Sequence, residues 1–130
     1  MPEASHRRAY VILRHEPPPE AVRPAHWDFM IQVGNVLRTW ALADEPQPEK
    51  TVAAEALPDH RLAYLDYEGP ISGGRGTVVR WDEGTYQTLV DTPNRLVLVL
   101  AGRRISGRVH LERTAPAGRD WRFRYWPEAM

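Results

Sequence analysis

The stretch His26-Trp27-Asp28-Phe29-Met30-Ile31-Gln32-Val33 alternates with a period of two. Trp27, Phe29, Ile31 and Val33 point one way, and His26, Asp28, Met30 and Gln32 point the other. This pattern predicts a half-buried β-strand. Its apolar side can meet a core, while its polar side carries an imidazole and a carboxylate together. Similar strands are expected along the chain. Ala9 to Leu13 is one, ending at Arg14-His15. Gly34-Asn35 makes a tight hairpin turn into Val36 to Leu42, whose poor alternation predicts cover on both sides. Thr77 to Trp81, Thr85 to Val90 and Arg95 to Ala101 follow, with turns at Asp82-Glu83-Gly84 and Pro93-Asn94. Beyond Gly102-Arg103, Ile105, Gly107, Val109 and Leu111 face inward and His110 outward; in the last strand Trp121, Phe123 and Tyr125 share a face.

Two stretches break the pattern. Glu16 to Pro24 holds three successive prolines and predicts a stiff exposed loop. Pro58 to Pro70 is the longest irregular stretch and carries His60 and Tyr64. Between them Thr51 to Leu57 is rich in Ala, yet its neighbours are strands, and a strand is expected there too. Many short strands with evenly spaced turns imply an all-β chain with minor helical turns. Closure removes exposed edges, so a compact antiparallel β-barrel is expected rather than an open sandwich. Residues 1–8 are expected as a flexible tail and 9–130 as one domain.

Composition narrows the chemistry. Cys is 0, which excludes disulfides, thiolate zinc sites and a Cys nucleophile, and fits a reducing cytoplasm. No run reaches the length of a membrane span. Lys+Arg 17 balances Asp+Glu 17, which argues against a protein that holds nucleic acid mainly by charge. A small enzyme that handles one phosphate at a time remains compatible with this. Gly73-Gly74-Arg75-Gly76 is a glycine-rich turn, but a strand follows it rather than a helix, so it is no phosphate-binding loop of the nucleotide-binding type.

His15 ends one strand, His26 begins the next, and Asp28 shares the His26 face. Two imidazoles and a carboxylate suit Mn²⁺, Fe²⁺ or Zn²⁺ with positions left open for water or substrate. The alternative is that His15 and His60 serve only as hydrogen-bonded loop residues.

Several strings go further than this. They are Arg14-His15, His26-Trp27-Asp28-Phe29, Gly34-Asn35-Val36-Leu37, Asp59-His60-Arg61-Leu62-Ala63-Tyr64-Leu65-Asp66-Tyr67-Glu68-Gly69, and Gly76-Thr77-Val78 leading into Trp81-Asp82-Glu83-Gly84-Thr85. Together they resemble the 3′-phosphoesterase domain of bacterial DNA ligase D, from about Tyr10 to Trp126. The resemblance implies a barrel with a surface groove as its active site. It implies removal of a 3′-phosphate or 3′-terminal ribonucleoside from DNA or RNA ends in DNA repair. Mn²⁺, or another divalent ion such as Zn²⁺ or Co²⁺, would be the cofactor, on His15, His26 and Asp28. His60 and Tyr64 would contact the phosphate as the catalytic pair. Arg14, Gln32 and Arg75 are further candidates for substrate contact. Nucleic acid 3′ ends are the implied partners, with a DNA ligase or polymerase possible beside them and no membrane. The family pattern places an Arg where this chain has Met30 and a Glu where it has Gln32. A Lys after the Trp40 strand and an Arg upstream of His60 are missing as well. A metal-containing module that binds nucleic acid ends or a repair partner with weak catalysis is therefore the alternative.

Overall fold

The computed structural model describes residues 8–22 and 24–128. The expected tail, residues 1–8, lies outside these except for Arg8, whose carbonyl accepts the Tyr86 N–H at 2.8 Å. Nine strands follow: β1 (Ala9–Glu16), β2 (His26–Val33), β3 (Val36–Leu42), β4 (Val52–Arg61), β5 (Gly69–Pro70), β6 (Thr77–Thr92), β7 (Arg95–Gly102), β8 (Ser106–Arg113) and β9 (Asp120–Pro127). They pair antiparallel in the order β1-β2-β3-β4-β9-β8-β7-β6-β5, and β1 also pairs with β6. That last pairing closes a ring of strands, as expected from the edge argument. The only helical piece among the described residues is the 3₁₀ turn Leu62–Leu65, and no helix is long and apolar enough to cross a membrane.

The inward side of every long strand fills the ring. Tyr10, Ile12, Phe29, Ile31, Trp40, Leu98, Val109, Leu111, Trp121 and Phe123 are among its buried side chains. Phe29 sits at the centre, with ring centroids 6.0 Å from Tyr10, 6.1 Å from Trp40 and 5.7 Å from Phe123. Each such side chain contributes about 1.5–3 kcal/mol by leaving water. All five tryptophans carry an arginine guanidinium over the ring, at 4.6–5.7 Å for Arg104 on Trp81, Arg38 on Trp40, Arg124 on Trp126, Arg113 on Trp121 and Arg14 on Trp27. A planar cation stacks where an ammonium would not, so the preference for Arg over Lys has a structural use.

The outward side of β1, β2 and β3 is also covered. Val11, Leu13, Met30, Leu37 and Val78 form a second buried cluster, packed by Leu62, Tyr64, Leu65 and Ile71. The second face of β2, read from alternation as polar, is therefore a lidded surface, with Met30 only 1% exposed.

Two element boundaries differ from those expected. The segment from Pro58 is not irregular, because β4 continues to Arg61 and His60 pairs with Leu37. The register slips between Leu37 and Thr39, so Pro58 falls in a bulge where its missing N–H costs no ladder bond. His60 thus stands at a strand end and Tyr64 on the 3₁₀ turn, rather than both in a long loop. Asp82-Glu83-Gly84 is not a turn either. It lies within β6, a continuous strand of 16 residues that bends where its register against β1 shifts. Asp82 is buried there and accepts hydrogen bonds from the Tyr10 hydroxyl at 2.6 Å, the Arg104 N–H at 2.7 Å and the Ile105 N–H at 3.1 Å.

Candidate metal centre

His15 lies directly opposite His26 on paired β1 and β2, and Leu13 lies opposite Asp28. Opposed residues project to one side of a sheet, and so do residues two apart. His15, His26 and Asp28 are therefore forced together on the outer face, beside the Leu13–Met30 cluster. One donor atom from each lies within 4.8 Å of the others. His26 Nε2 is 3.1 Å from Asp28 Oδ1, and His15 Nδ1 is 3.7 Å from Asp28 Oδ2. The two imidazole centroids are 4.6 Å apart.

The local chemistry fits a divalent ion. His15 Nε2 lies 2.7 Å from the carbonyl oxygen of Arg75. A carbonyl only accepts, so this nitrogen carries a proton, and Nδ1 is the ring nitrogen turned towards Asp28. Metal-binding histidines are commonly oriented by such an outer hydrogen bond. Asp28 Oδ1 is buried, and the His26 ring nitrogen is the polar atom it faces. The Arg75 carbonyl is brought in by the turn after Ser72. There Gly76 has φ +99°, and a Cβ on it would stand 2.1 Å from the carbonyl oxygen of Glu16. Only glycine lets this turn lie so close against β1.

Burial alone would raise the Asp28 carboxyl. Hydrogen bonding and charge from His15 and His26 outweigh it and hold the group below its ordinary value of 3.8. The folded carboxyl thus binds a proton less readily than the unfolded one. Its contribution to stability is present above the ordinary carboxylate range and is lost as pH falls through the depressed value. In chelator, the denaturation midpoint of the wild type is expected to fall more steeply below pH 3.8 than that of Asp28→Asn. Superimposable acid profiles for the two proteins would contradict this electrostatic account.

The remaining expected residues spread along the same face. Gln32 opposes Leu37, which opposes His60, so these three form one row across β2, β3 and β4. Gln32 stands four residues beyond Asp28, about 13 Å along the strand, and its side-chain amide reaches the Gly34 carbonyl at 3.4 Å. His60 is therefore outside the triad but on the same outer face, in the row beyond Met30. His60 Nδ1 donates to the Pro58 carbonyl at 2.9 Å, which leaves Nε2 for other work. The His60 and Tyr64 rings meet edge to face at 5.8 Å. Arg14 alternates to the opposite side of β1 from His15, over Trp27 and paired with Glu16 at 2.8 Å. The Arg75 guanidinium is turned back on its own loop, with Nε 2.8 Å from the Ser72 carbonyl. Its backbone, rather than its side chain, touches the triad.

One cation in the row of Asp28 is not evident from the motifs. Arg80 opposes Leu13 across β1 and β6, in the same row as Asp28. Its guanidinium is 3.5 Å from Glu83 and 3.4 Å from the Leu65 carbonyl. The only sequence signal for it is spacing, since Val78 and Arg80 stand two apart after the glycine turn.

Comparison with known proteins agrees with this geometry. Residues 19–113 match the family described as the DNA Ligase D 3′-phosphoesterase domain. The multifunctional non-homologous end joining protein LigD of Pseudomonas aeruginosa is 35% identical over 105 residues, covering 73% of this chain and 12% of that protein. The multifunctional non-homologous end joining DNA repair protein LigD of Mycobacterium tuberculosis is 38% identical over 114 residues, covering 81% of this chain and 14% of that protein. The chain thus spans a small fraction of the length of these relatives. On these matches, the chain belongs to the DNA ligase D 3′-phosphoesterase domain family.

Proposed function

We propose that this chain is a divalent-metal-dependent phosphoesterase that processes the 3′ ends of DNA or RNA during DNA break repair. The observation that carries the proposal is the His15–His26–Asp28 triad, with His15 held by the Arg75 carbonyl. A divalent ion on these three ligands, Mn²⁺ above all, would act as a Lewis acid on a phosphoester oxygen. The chain has no Cys, and no Ser stands in the triad or beside His60, so water is the nucleophile. Its oxygen forms the new bond to phosphorus and gives up a proton to solvent while the bond to the 3′ oxygen breaks. His60, with Nδ1 fixed on Pro58, presents Nε2 to protonate that departing oxygen, and the Tyr64 hydroxyl orients the phosphate. Arg80 is the guanidinium in the Asp28 row and supplies charge that Met30 cannot.

The direct test is a primer-template bearing a 3′-phosphate or a 3′-terminal ribonucleotide, incubated with Mn²⁺ or with chelator. Conversion to a 3′-OH in Mn²⁺ only is the expected result. No conversion by protein shown to hold the ion would favour a second reading, a module that recognises nucleic acid ends or a repair partner without turnover. The burial of Met30 speaks for that second reading, because the position offers no cation to the phosphate.

A further inference from the structure

Beyond His60 and Tyr64, the 3₁₀ turn and the loop after it enclose a cavity of about 240 Å³, lined by Arg61, Tyr64, Tyr67, Pro70, Ile71 and Ser72, with Ala63 at its edge. We propose that this cavity is a nucleobase slot for the strand whose 3′ end is processed, with Tyr67 as its stacking surface. The inference rests on the phosphoesterase reading for the identity of the strand.

Three features support it. First, the aromatic rings form a continuous series away from the proposed chemistry. His60 meets Tyr64 at 5.8 Å and 68°, and Tyr64 meets Tyr67 at 6.0 Å and 89°. A phosphate held at His60 and Tyr64 would place its own or the next nucleoside along that series. Second, Tyr67 is held in place before any ligand arrives. It is 38% exposed, yet its hydroxyl donates to the Pro70 carbonyl. Gly69, with φ +135°, leaves the space for this: a Cβ there would stand 3.2 Å from the Tyr67 hydroxyl oxygen. An exposed ring fixed at both ends loses little freedom when a flat ligand stacks on it. Third, the lining has the mixed chemistry that a base and its backbone need. Aromatic and apolar walls come from Tyr64, Tyr67, Pro70 and Ile71, and a guanidinium from Arg61 stands at the exposed rim. Stacking of this kind tolerates any base, because every base has a π-face.

The test is fluorescence anisotropy of a labelled single strand ending in a 3′-phosphate, in chelator so that no turnover occurs. Abasic residues replace each of the last three nucleotides in turn. With the wild-type protein, one abasic position is expected to weaken binding about tenfold or more, and the others much less. Tyr67→Ala is expected to weaken binding of the intact strand by a similar factor and to be insensitive to that abasic position. Tyr67→Phe keeps the ring and is expected to retain most of the affinity. Equal affinity of the wild type for intact and abasic strands overturns the slot, and that arm needs no variant to fold. Absence of any strand binding overturns it too. Binding with the expected abasic pattern but without Mn²⁺-dependent turnover would instead retire the phosphoesterase reading and leave the slot standing.

Discussion

Asp28→Ala is expected to strip the protein of its divalent ion and to lower 3′-phosphoesterase turnover by about 10³-fold or more, because Lewis-acid catalysis supplies several kcal/mol of transition-state stabilisation. Asp28 is the only anionic ligand of the triad, and it is buried between the two imidazoles. Without it, a divalent charge would rest on two neutral nitrogens. Changes merely adjacent to metal ligands cost about 10- to 100-fold in affinity or activity, and loss of a ligand exceeds that. The variant should still fold. Among the described residues the carboxylate accepts no backbone hydrogen bond, and the methyl of alanine sits beside the apolar Leu13–Met30 cluster. Metal content after dialysis, turnover of a 3′-phosphate end and the unfolding midpoint should be measured on one preparation. Wild-type metal content with wild-type turnover would remove the triad from the mechanism. Asp28→Asn serves as the size-matched control and is expected to behave like Asp28→Ala towards metal.

What could be read from the residues alone follows from the range of the interactions. Alternation located β2, β8 and β9 and their inward residues, because period two is a local property of a strand. The triad was legible for the same reason: a strand end, a loop and a strand start put His15 opposite His26. The β1–β6 pairing was not, since it joins residues such as Leu13 and Arg80 that are far apart in the chain. With it went the place of Arg80 and the lid over Met30. Pro58 and the Asp82-Glu83-Gly84 string look like breaks when taken one residue at a time. In the fold, both are points where a strand bends while its ladder continues. Met30, where the resemblance implies an Arg, is buried in the fold. Its side chain belongs to the buried cluster against which Leu62, Tyr64 and Leu65 pack, so it serves packing rather than charge. Any compensating charge has to enter from β6 or from the loop after β4.

Asp82→Ala is expected to destabilise the protein by about 3–5 kcal/mol, more than any other single truncation on the β6 side. The carboxylate is 2% exposed and holds three donors from two distant parts of the chain. Tyr10 belongs to β1, while the Arg104 and Ile105 N–H groups belong to the turn between β7 and β8. Alanine removes the acceptor of the Arg104 and Ile105 N–H groups and leaves the Tyr10 hydroxyl only the Ile105 carbonyl at 3.4 Å, and each lost bond costs about 1–3 kcal/mol. The space cannot close over the gap, because the backbones are already at contact distance. A Cβ on Gly84 would stand 2.2 Å from the Ala101 carbonyl oxygen, and one on Gly102 would stand 1.7 Å from the Tyr10 hydroxyl oxygen. The Trp-Asp-x-Gly string is therefore a clasp rather than a catalytic motif. Trp81 is stacked by Arg104, Asp82 ties three segments, and Gly84 permits the close approach of β6 to β7. Urea unfolding of Asp82→Ala and Tyr10→Phe separates the contributions. Tyr10→Phe removes one of the three donors, with its longer 3.4 Å contact to the Ile105 carbonyl, and leaves both N–H bonds to Asp82, so its loss should be about a third of that of Asp82→Ala. Equal losses in the two variants would place the stabilisation in the Tyr10 contact alone and refute the three-way clasp. Because the clasp secures the seam of the ring, its loss should also loosen the β1–β6 pairing that holds His15 opposite Val78 and against the Arg75 carbonyl. Metal affinity should then fall in Asp82→Ala although no ligand has been touched.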